Sequence, residues 1–357
     1  MEKSEIDTPA LVVDLDLMEK NLRTLADFLR GSKAEARPHF KTPKTPIIAW
    51  KQIKMGAKGV CAQKLGEVEV LVNAGVRDIL LTNEIAGETK IKRLVDLARH
   101  SPELKVCVDN LENARAISAA ASSAGLKIGV LVELRVGGRC GIQPGEAAVQ
   151  LAREVSKLNG LEFKGIQAYA GPLNLIDQRE GMEKKVNACR EVNEMVAATR
   201  DMMTRAGLDV EIVSGAGTGT YRLQHEYYTE VQPGSYVFMD WRYKVSAPEF
   251  ENALTVLSTV ISRPEASQAI VDSGWKTISS DGGPAKVKER PDIRYEFSGD
   301  EHGRLLLPQG TDLQIGDRVE LIPSHVCTTV NLYDRLFACR GNTVEAVWDI
   351  VARGRSQ

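Results

Sequence analysis

Lys41 stands in the run Arg-Pro-His-Phe-Lys-Thr-Pro-Lys, with Pro38 before it and Pro43 after it fixing the backbone on both sides. A lysine that is desolvated, or placed near another cation, loses its proton and becomes an amine nucleophile. The plainer reading is a solvated loop lysine with His39 and Lys44 as neighbours. Near the other end, Pro-Ser-His-Val-Cys places His325 and Cys327 two residues apart in a stretch that reads as a strand. Residues two apart on a strand face one side, so both could reach one ion. A two-ligand set is weak evidence by itself, and the spacing alone reads as coincidence.

Other candidates lie between. Arg139, in Glu-Leu-Arg-Val-Gly-Gly-Arg-Cys-Gly, is flanked by glycines that let backbone approach a ligand, where it could be a fixed donor to an anionic oxygen or simply a surface ion pair. Gln167 and Tyr169 alternate with small residues and point to one side of their strand; the tyrosine could stack on a planar ring or pack in the core. In Ser214-Gly-Ala-Gly217-Thr218-Gly219-Thr220, glycines alternate with small residues, so that successive amides and hydroxyls could form a phosphate nest, with Gly234, Ser235 and Tyr236 in the next loop beside it. The run lacks the Gly-Lys of a P-loop, and two ordinary glycine-rich turns would also explain it.

The elements that must position these residues alternate. Short apolar runs such as Asp78–Asn83, Leu104–Asp109 and Lys127–Leu134 are each followed by a helical pattern, about eight times, which predicts a (β/α)8 barrel. Several helical patterns end in glycine (56, 75, 125, 160 and 207), as left-handed caps would. After about residue 245 short strands between turns predict an all-β domain, to which the opening strand Pro-Ala-Leu-Val-Val-Asp also belongs. The expected domains are a barrel over 20–245 and a discontinuous β domain over 1–19 and 246–357. In such a barrel, chemistry gathers at the C-terminal ends of the strands. An amine, an aromatic ring, an arginine and a phosphate cup around one mouth suit a cofactor with an aldehyde, a planar ring and a phosphate, namely pyridoxal 5′-phosphate joined to Lys41.

With 357 residues, 43% of them hydrophobic, and a net charge of −2, the chain has material for a buried core and no charge excess that would track nucleic acid. It has no apolar run long enough for a membrane span and no signal-peptide pattern. Six cysteines without paired spacing predict reduced thiols in a cytoplasm.

Seven ordered motifs, Thr-Pro-Ala-Leu-Val-Val-Asp-Leu-Asp-Leu, Arg-Pro-His-Phe-Lys, Gly-Arg-Cys-Gly, Ser-Gly-Ala-Gly-Thr-Gly-Thr-Tyr, Gln-Pro-Gly-Ser-Tyr, Asp-Glu-His-Gly and His-Val-Cys-Thr-Thr-Val-Asn-Leu-Tyr-Asp, resemble the D-threonine aldolase and D-serine dehydratase family over nearly the whole chain. These are fold-type III pyridoxal phosphate enzymes with an alanine racemase-like barrel. The resemblance implies that Lys41 carries the cofactor and that the active site lies near a homodimer interface. It also implies that His325 and Cys327 hold a divalent metal. Thiolate with imidazole suits zinc, whereas a carboxylate would suit manganese or magnesium.

The reaction expected from the resemblance is retro-aldol cleavage of a β-hydroxy D-amino acid to glycine and an aldehyde. Dehydration to a 2-oxo acid and ammonia is the alternative, and a racemase is more distant. Thr-Thr-Val-Asn-Leu-Tyr-Asp points to the aldolase side and Cys327 to the dehydratase side. Ala170, Leu173 and Asn174 depart from the polar or histidine side chains of relatives. His302 is a candidate catalytic base, with a hairpin-turn histidine as the plain reading.

Overall fold

The computed structural model describes residues 1–357 and divides into two compact units. One comprises 25–41, 48–234 and 355–357; the other comprises 1–24, 42–47 and 235–354.

The first unit is the barrel. Its parallel strands run in the order Glu35–Ala36, Glu230–Val231, Ile212–Gly215, Leu161–Ala168, Ile128–Glu133, Lys105–Val108, Ile79–Glu84 and Val60–Ala62. The ring closes where Phe40 N–H donates to the Cys61 carbonyl (2.8 Å) and Cys61 N–H to that of Pro38 (2.9 Å). Both faces of these strands are covered, which is why they read as continuous apolar runs. All six residues of Ile128–Glu133 are buried. Cys61, Leu80, Cys107 and Leu131 pack as one interior layer. Each large aliphatic side chain buried here contributes roughly 1.5–3 kcal/mol. Gly56, Gly75, Gly125 and Gly207 have positive φ after their helices, as read from the sequence. Gly160 does not: a Cβ there would lie 2.2 Å from the Ser118 carbonyl, so close approach demands that glycine.

The second unit is a nine-stranded, mostly antiparallel sheet. The N-terminal strand Ala10–Asp14 lies inside it, antiparallel to Leu254–Glu265 and parallel to Arg335–Arg340. His325 and Cys327 are not on a strand. His325 is the extended residue before the short helix Val326–Val330, whose sequence Val-Cys-Thr-Thr-Val is rich in strand-forming residues. Tertiary bonds override that preference. Buried Asp240 accepts the Val326 N–H (3.2 Å), and Thr329 Oγ1 returns to the His325 carbonyl (2.9 Å).

No helix is long and apolar enough to cross a membrane. All six cysteines are free thiols.

Candidate active site

Lys41 follows the barrel's closing segment and is half-buried. Its Nζ stands 5.6 Å from the centroid of the Tyr169 ring, which comes directly after strand Leu161–Ala168. The Arg139 guanidinium lies 5.7 Å from the same centroid. Two cations thus stand near one aromatic ring at the C-terminal ends of the strands. Buried His39 fixes the backbone of Lys41: its Nδ1 accepts the Lys41 N–H (3.3 Å) and its Nε2 meets Thr82 Oγ1 (3.1 Å). With Nδ1 accepting, the ring proton is on Nε2 and is donated to Thr82. Lys44 is turned elsewhere, its Nζ donating to the Ala352 carbonyl within the β unit.

The glycine loop is held more firmly than its sequence suggested. Gly217 N–H donates to Thr220 Oγ1 (2.9 Å) and Gly219 N–H to Asn174 Oδ1 (3.0 Å). A Cβ on Gly217 would meet the Asn174 amide at 2.4 Å, and one on Gly219 the Asn174 carbonyl at 2.2 Å. The glycines are therefore needed to admit Asn174, and two of the amides expected in an open nest are engaged within the protein. Asn174 Nδ2 also reaches the Tyr169 hydroxyl (3.4 Å), so one side chain ties the loop to the ring. Buried Lys185 holds the Asn174 carbonyl (3.1 Å) and pairs with Asp177 (3.2 Å).

Three of the expected cofactor contacts have partners within the protein. Gln167 and Ser214 belong to a buried network in which the Gln167 and Gln232 amides exchange hydrogen bonds (3.2 and 2.7 Å) and Gln232 Nε2 donates to Ser214 Oγ (2.8 Å). This network braces the strands under the mouth. Tyr236, beyond buried Gly234, belongs to the β unit, where its ring packs edge-on against Phe250 at 5.4 Å.

Sequence reasoning passed over Glu84 and Glu133, although each closes a barrel strand where catalytic groups were sought. Arg139 Nη2 donates to Glu133 Oε1 (3.2 Å), and the Cys140 thiol to the same oxygen (3.3 Å). Burial, reinforced by the Glu84 carboxylate and opposed by Arg139, pushes the Glu133 carboxyl up to about 7.

The β unit carries a second cluster. The His325 imidazole and Cys327 thiol are hydrogen-bonded to each other. Cys327 Sγ also meets Thr42 Oγ1 at 3.1 Å and Ser235 Oγ at 3.9 Å. Asp281, to which sequence assigned no role, takes His325 Nδ1 at 2.5 Å and is itself anchored by Ser279 and Thr328 hydroxyls (2.7 and 2.9 Å). Burial disfavours the imidazolium, but Cys327 and Asp281 outweigh it and raise His325 to about 10. Imidazole and thiol side by side, with a carboxylate behind the imidazole, form a donor set that fits zinc. His302 is not part of this cluster; it is exposed on the turn between strands Arg294–Phe297 and Gly303–Leu306, its carbonyl accepting the Ser298 N–H.

An amine and a guanidinium over one aromatic ring, at the mouth of a parallel barrel, define a barrel enzyme of the kind that binds a planar anionic cofactor. Comparison with known proteins makes this specific. Residues 13–241 match the family model "Alanine racemase, N-terminal domain", and 253–339 match "Putative serine dehydratase domain". A D-threonine aldolase of Arthrobacter sp is 37% identical, over 99% of this chain and 94% of its own. A 3-hydroxy-D-aspartate aldolase of Paracoccus denitrificans has the same identity and coverage. A D-threo-3-hydroxyaspartate dehydratase of Delftia sp. is 30% identical over 91% of this chain and 92% of its own.

Among solved structures, the D-threonine aldolase of Filomicrobium marinum superposes with a TM-score of 0.96 at 38% identity, covering 100% of this chain and 98% of that one. The D-threo-3-hydroxyaspartate dehydratase reaches 0.87 at 25% identity, covering 98% of each chain, in a cysteine-to-alanine mutant described as the metal-free form. A second mutant of that dehydratase has alanine in place of a histidine two residues before that cysteine. The chain belongs to the D-threonine aldolase and D-serine dehydratase family of alanine racemase-like pyridoxal phosphate enzymes, and it is a lyase.

Proposed function

We propose that this lyase cleaves β-hydroxy D-amino acids between Cα and Cβ, releasing glycine and an aldehyde. What carries the reading is the full-length 37% identity to aldolases of D-threonine and of 3-hydroxy-D-aspartate, against 30% to the dehydratase. The amine, ring and guanidinium at the barrel mouth fit pyridoxal phosphate, with Lys41 as its point of attachment, and support the same chemistry. Once bound, that cofactor supplies the electron sink for the bond broken at Cα. Lys41 is presented by the His39 hydrogen bond to its amide. Tyr169 offers its face to the cofactor ring, Arg139 offers charge to an anionic oxygen, and Asn174 holds the 217–220 loop where Thr218 and Thr220 receive the phosphate.

His325 and Cys327 would hold the divalent ion, zinc by donor type, which would supply Lewis-acid chemistry. The neighbouring Asp281 orients the imidazole. Support comes from the dehydratase mutants, whose altered histidine and cysteine have the same spacing. The enzyme works as a homodimer in a reducing cytoplasm, in keeping with its free thiols.

One observation favours the dehydratase as second reading: the metal pair carries a cysteine, as does the D-threo-3-hydroxyaspartate dehydratase at the corresponding spacing. Incubation with D-threonine decides. Glycine with acetaldehyde is expected; 2-oxobutyrate with ammonia in their place overturns the aldolase assignment. Cys327→Ala is expected to lose bound zinc in metal analysis while keeping the visible cofactor band, and full zinc content in that variant refutes the metal assignment.

A further inference from the structure

We propose that Glu84 and Glu133 share one proton at neutral pH, and that this carboxyl–carboxylate pair positions Arg139 against Tyr169. The two glutamates end the barrel strands that flank Lys105–Val108. A carboxylate oxygen from each and the Cys140 sulfur lie within 4.8 Å of one another. Glu133 is 2% exposed. Its Oε1 is oriented by Arg139 and Cys140, whereas its Oε2, like Glu84 Oε1, is buried without a hydrogen-bond partner.

Ionised carboxylates only accept, so two orphaned oxygens cannot satisfy each other. A proton on Glu133 Oε2 makes that atom a donor, and Glu84 Oε1 is the unfilled acceptor of the same cluster. The charges around the pair agree. Arg139 faces it from the loop after strand Ile128–Glu133, Cys140 from the same loop and Cys107 from the strand between. Asp109 is engaged by the Gly141 N–H at 2.9 Å. Burial first, then the glutamates, hold the Cys107 and Cys140 thiols neutral, Cys140 at about 12. One partly exposed guanidinium therefore stands on the solvent side of buried Glu133 and its neighbour Glu84, and one proton leaves the cluster with a single negative charge for it to answer.

With the proton in place Glu133 is neutral, and the Arg139 charge is available to an anionic ligand over Tyr169. Loss of the proton adds a second negative charge and draws Arg139 back. This second half rests on the proposed role of Arg139 toward the substrate or cofactor; the shared proton does not.

Infrared difference titration of the holoenzyme tests the proton directly. A carboxyl C=O stretch is expected at neutral pH, absent in Glu133→Gln and titrating at lower pH in Glu84→Gln, which lacks the like charge. Should Glu133→Gln not fold, Glu84→Gln carries the test alone. No carboxyl band near neutrality, or one unchanged in these variants, overturns the shared proton. For Arg139, KM for D-threonine is expected to rise about tenfold from about pH 6 to about pH 8 and to stay flat in Glu133→Gln. A band that titrates as expected alongside identical KM profiles in both proteins overturns the positioning role and leaves the lyase assignment standing.

Discussion

At the foot of the barrel, Arg37 is 1% exposed and donates to four carboxylate oxygens, two on Asp78 and two on Glu230. At the mouth, Arg139 meets one oxygen of Glu133, and the other is left without a partner. Both arginines belong to the same eight strands and both face buried acids. Lys105 adds a second cation to Asp78 at the foot (2.9 Å), where every charge is answered. Gly59 makes room for this clasp, since a Cβ there would lie 2.6 Å from Arg37 Nη1. The foot uses its polar groups to close the barrel, whereas the mouth leaves Glu84 Oε1 and Glu133 Oε2 without partners, at the end of the scaffold where chemistry gathers.

Breaking the mouth should cost activity and breaking the foot should cost stability. The largest effect is expected from Lys41→Ala, which should lose the visible cofactor band and roughly 10⁴-fold or more of turnover without change in unfolding midpoint. Retention of the band would refute the attachment point. Arg37→Met should destabilise the fold by about 3–5 kcal/mol in urea titration, because Glu230 becomes an uncompensated buried charge while Asp78 keeps only Lys105. The cofactor spectrum of the protein that remains folded should not move; a shifted spectrum would show that the two ends are not independent.

Third is pH. The Glu133 carboxyl is raised to about 7 in the fold, so its contribution is complete below the ordinary glutamate value and is lost as pH rises toward 7, about 3 kcal/mol in all. The foot has the opposite sign. Burial opposes the Asp78 carboxylate, but Arg37 and Lys105 outweigh it and hold it below its ordinary value. Its contribution is therefore present above that value and lost on acidification. In Glu133→Gln the decline of stability between about pH 4.5 and 7 should flatten while acid unfolding remains. Unfolding curves that superimpose on the parent at every pH would exclude Glu133 as the source.

The smallest effect is expected from Asn174→Ala, which frees the Gly219 amide from its acceptor. Affinity of the apoenzyme for pyridoxal phosphate should fall about tenfold, and that for pyridoxal, which lacks the phosphate, much less. Equal losses for the two ligands would point to the ring contact with Tyr169 instead of the loop.

The barrel was legible because its strands are covered on both faces, and alternating apolar and helical runs record that burial directly. Lys41, Tyr169 and Arg139 were legible by the rule that chemistry collects at strand ends. Glu84 and Glu133 obey the same rule but close apolar runs with a residue that reads as a solvated terminus; only their burial distinguishes them. Asn174 is invisible in a one-dimensional pattern, since its meaning lies in the absence of a Cβ at Gly217 and Gly219. His325 and Cys327 come together for a reason unlike the expected one. Alternation on a strand would align them, whereas a short helix whose first N–H is held by Asp240 does so, and long-range hydrogen bonds of that kind leave no local trace. Gln167, Ser214 and Tyr236, expected as cofactor contacts by position, also have partners inside the protein, and strand position alone does not separate a ligand contact from a packed neighbour.

The strand Ala10–Asp14 leaves the ribosome more than 200 residues before its partners, 254–265 and 335–340. Throughout synthesis of the intervening residues an apolar Ala-Leu-Val-Val segment has both hydrogen-bonding edges open. The barrel strands, which pair mostly with neighbours in sequence, can assemble during that interval. Until those partners are made, the segment is one that a holding chaperone would bind, and chains truncated before residue 254 are expected to aggregate.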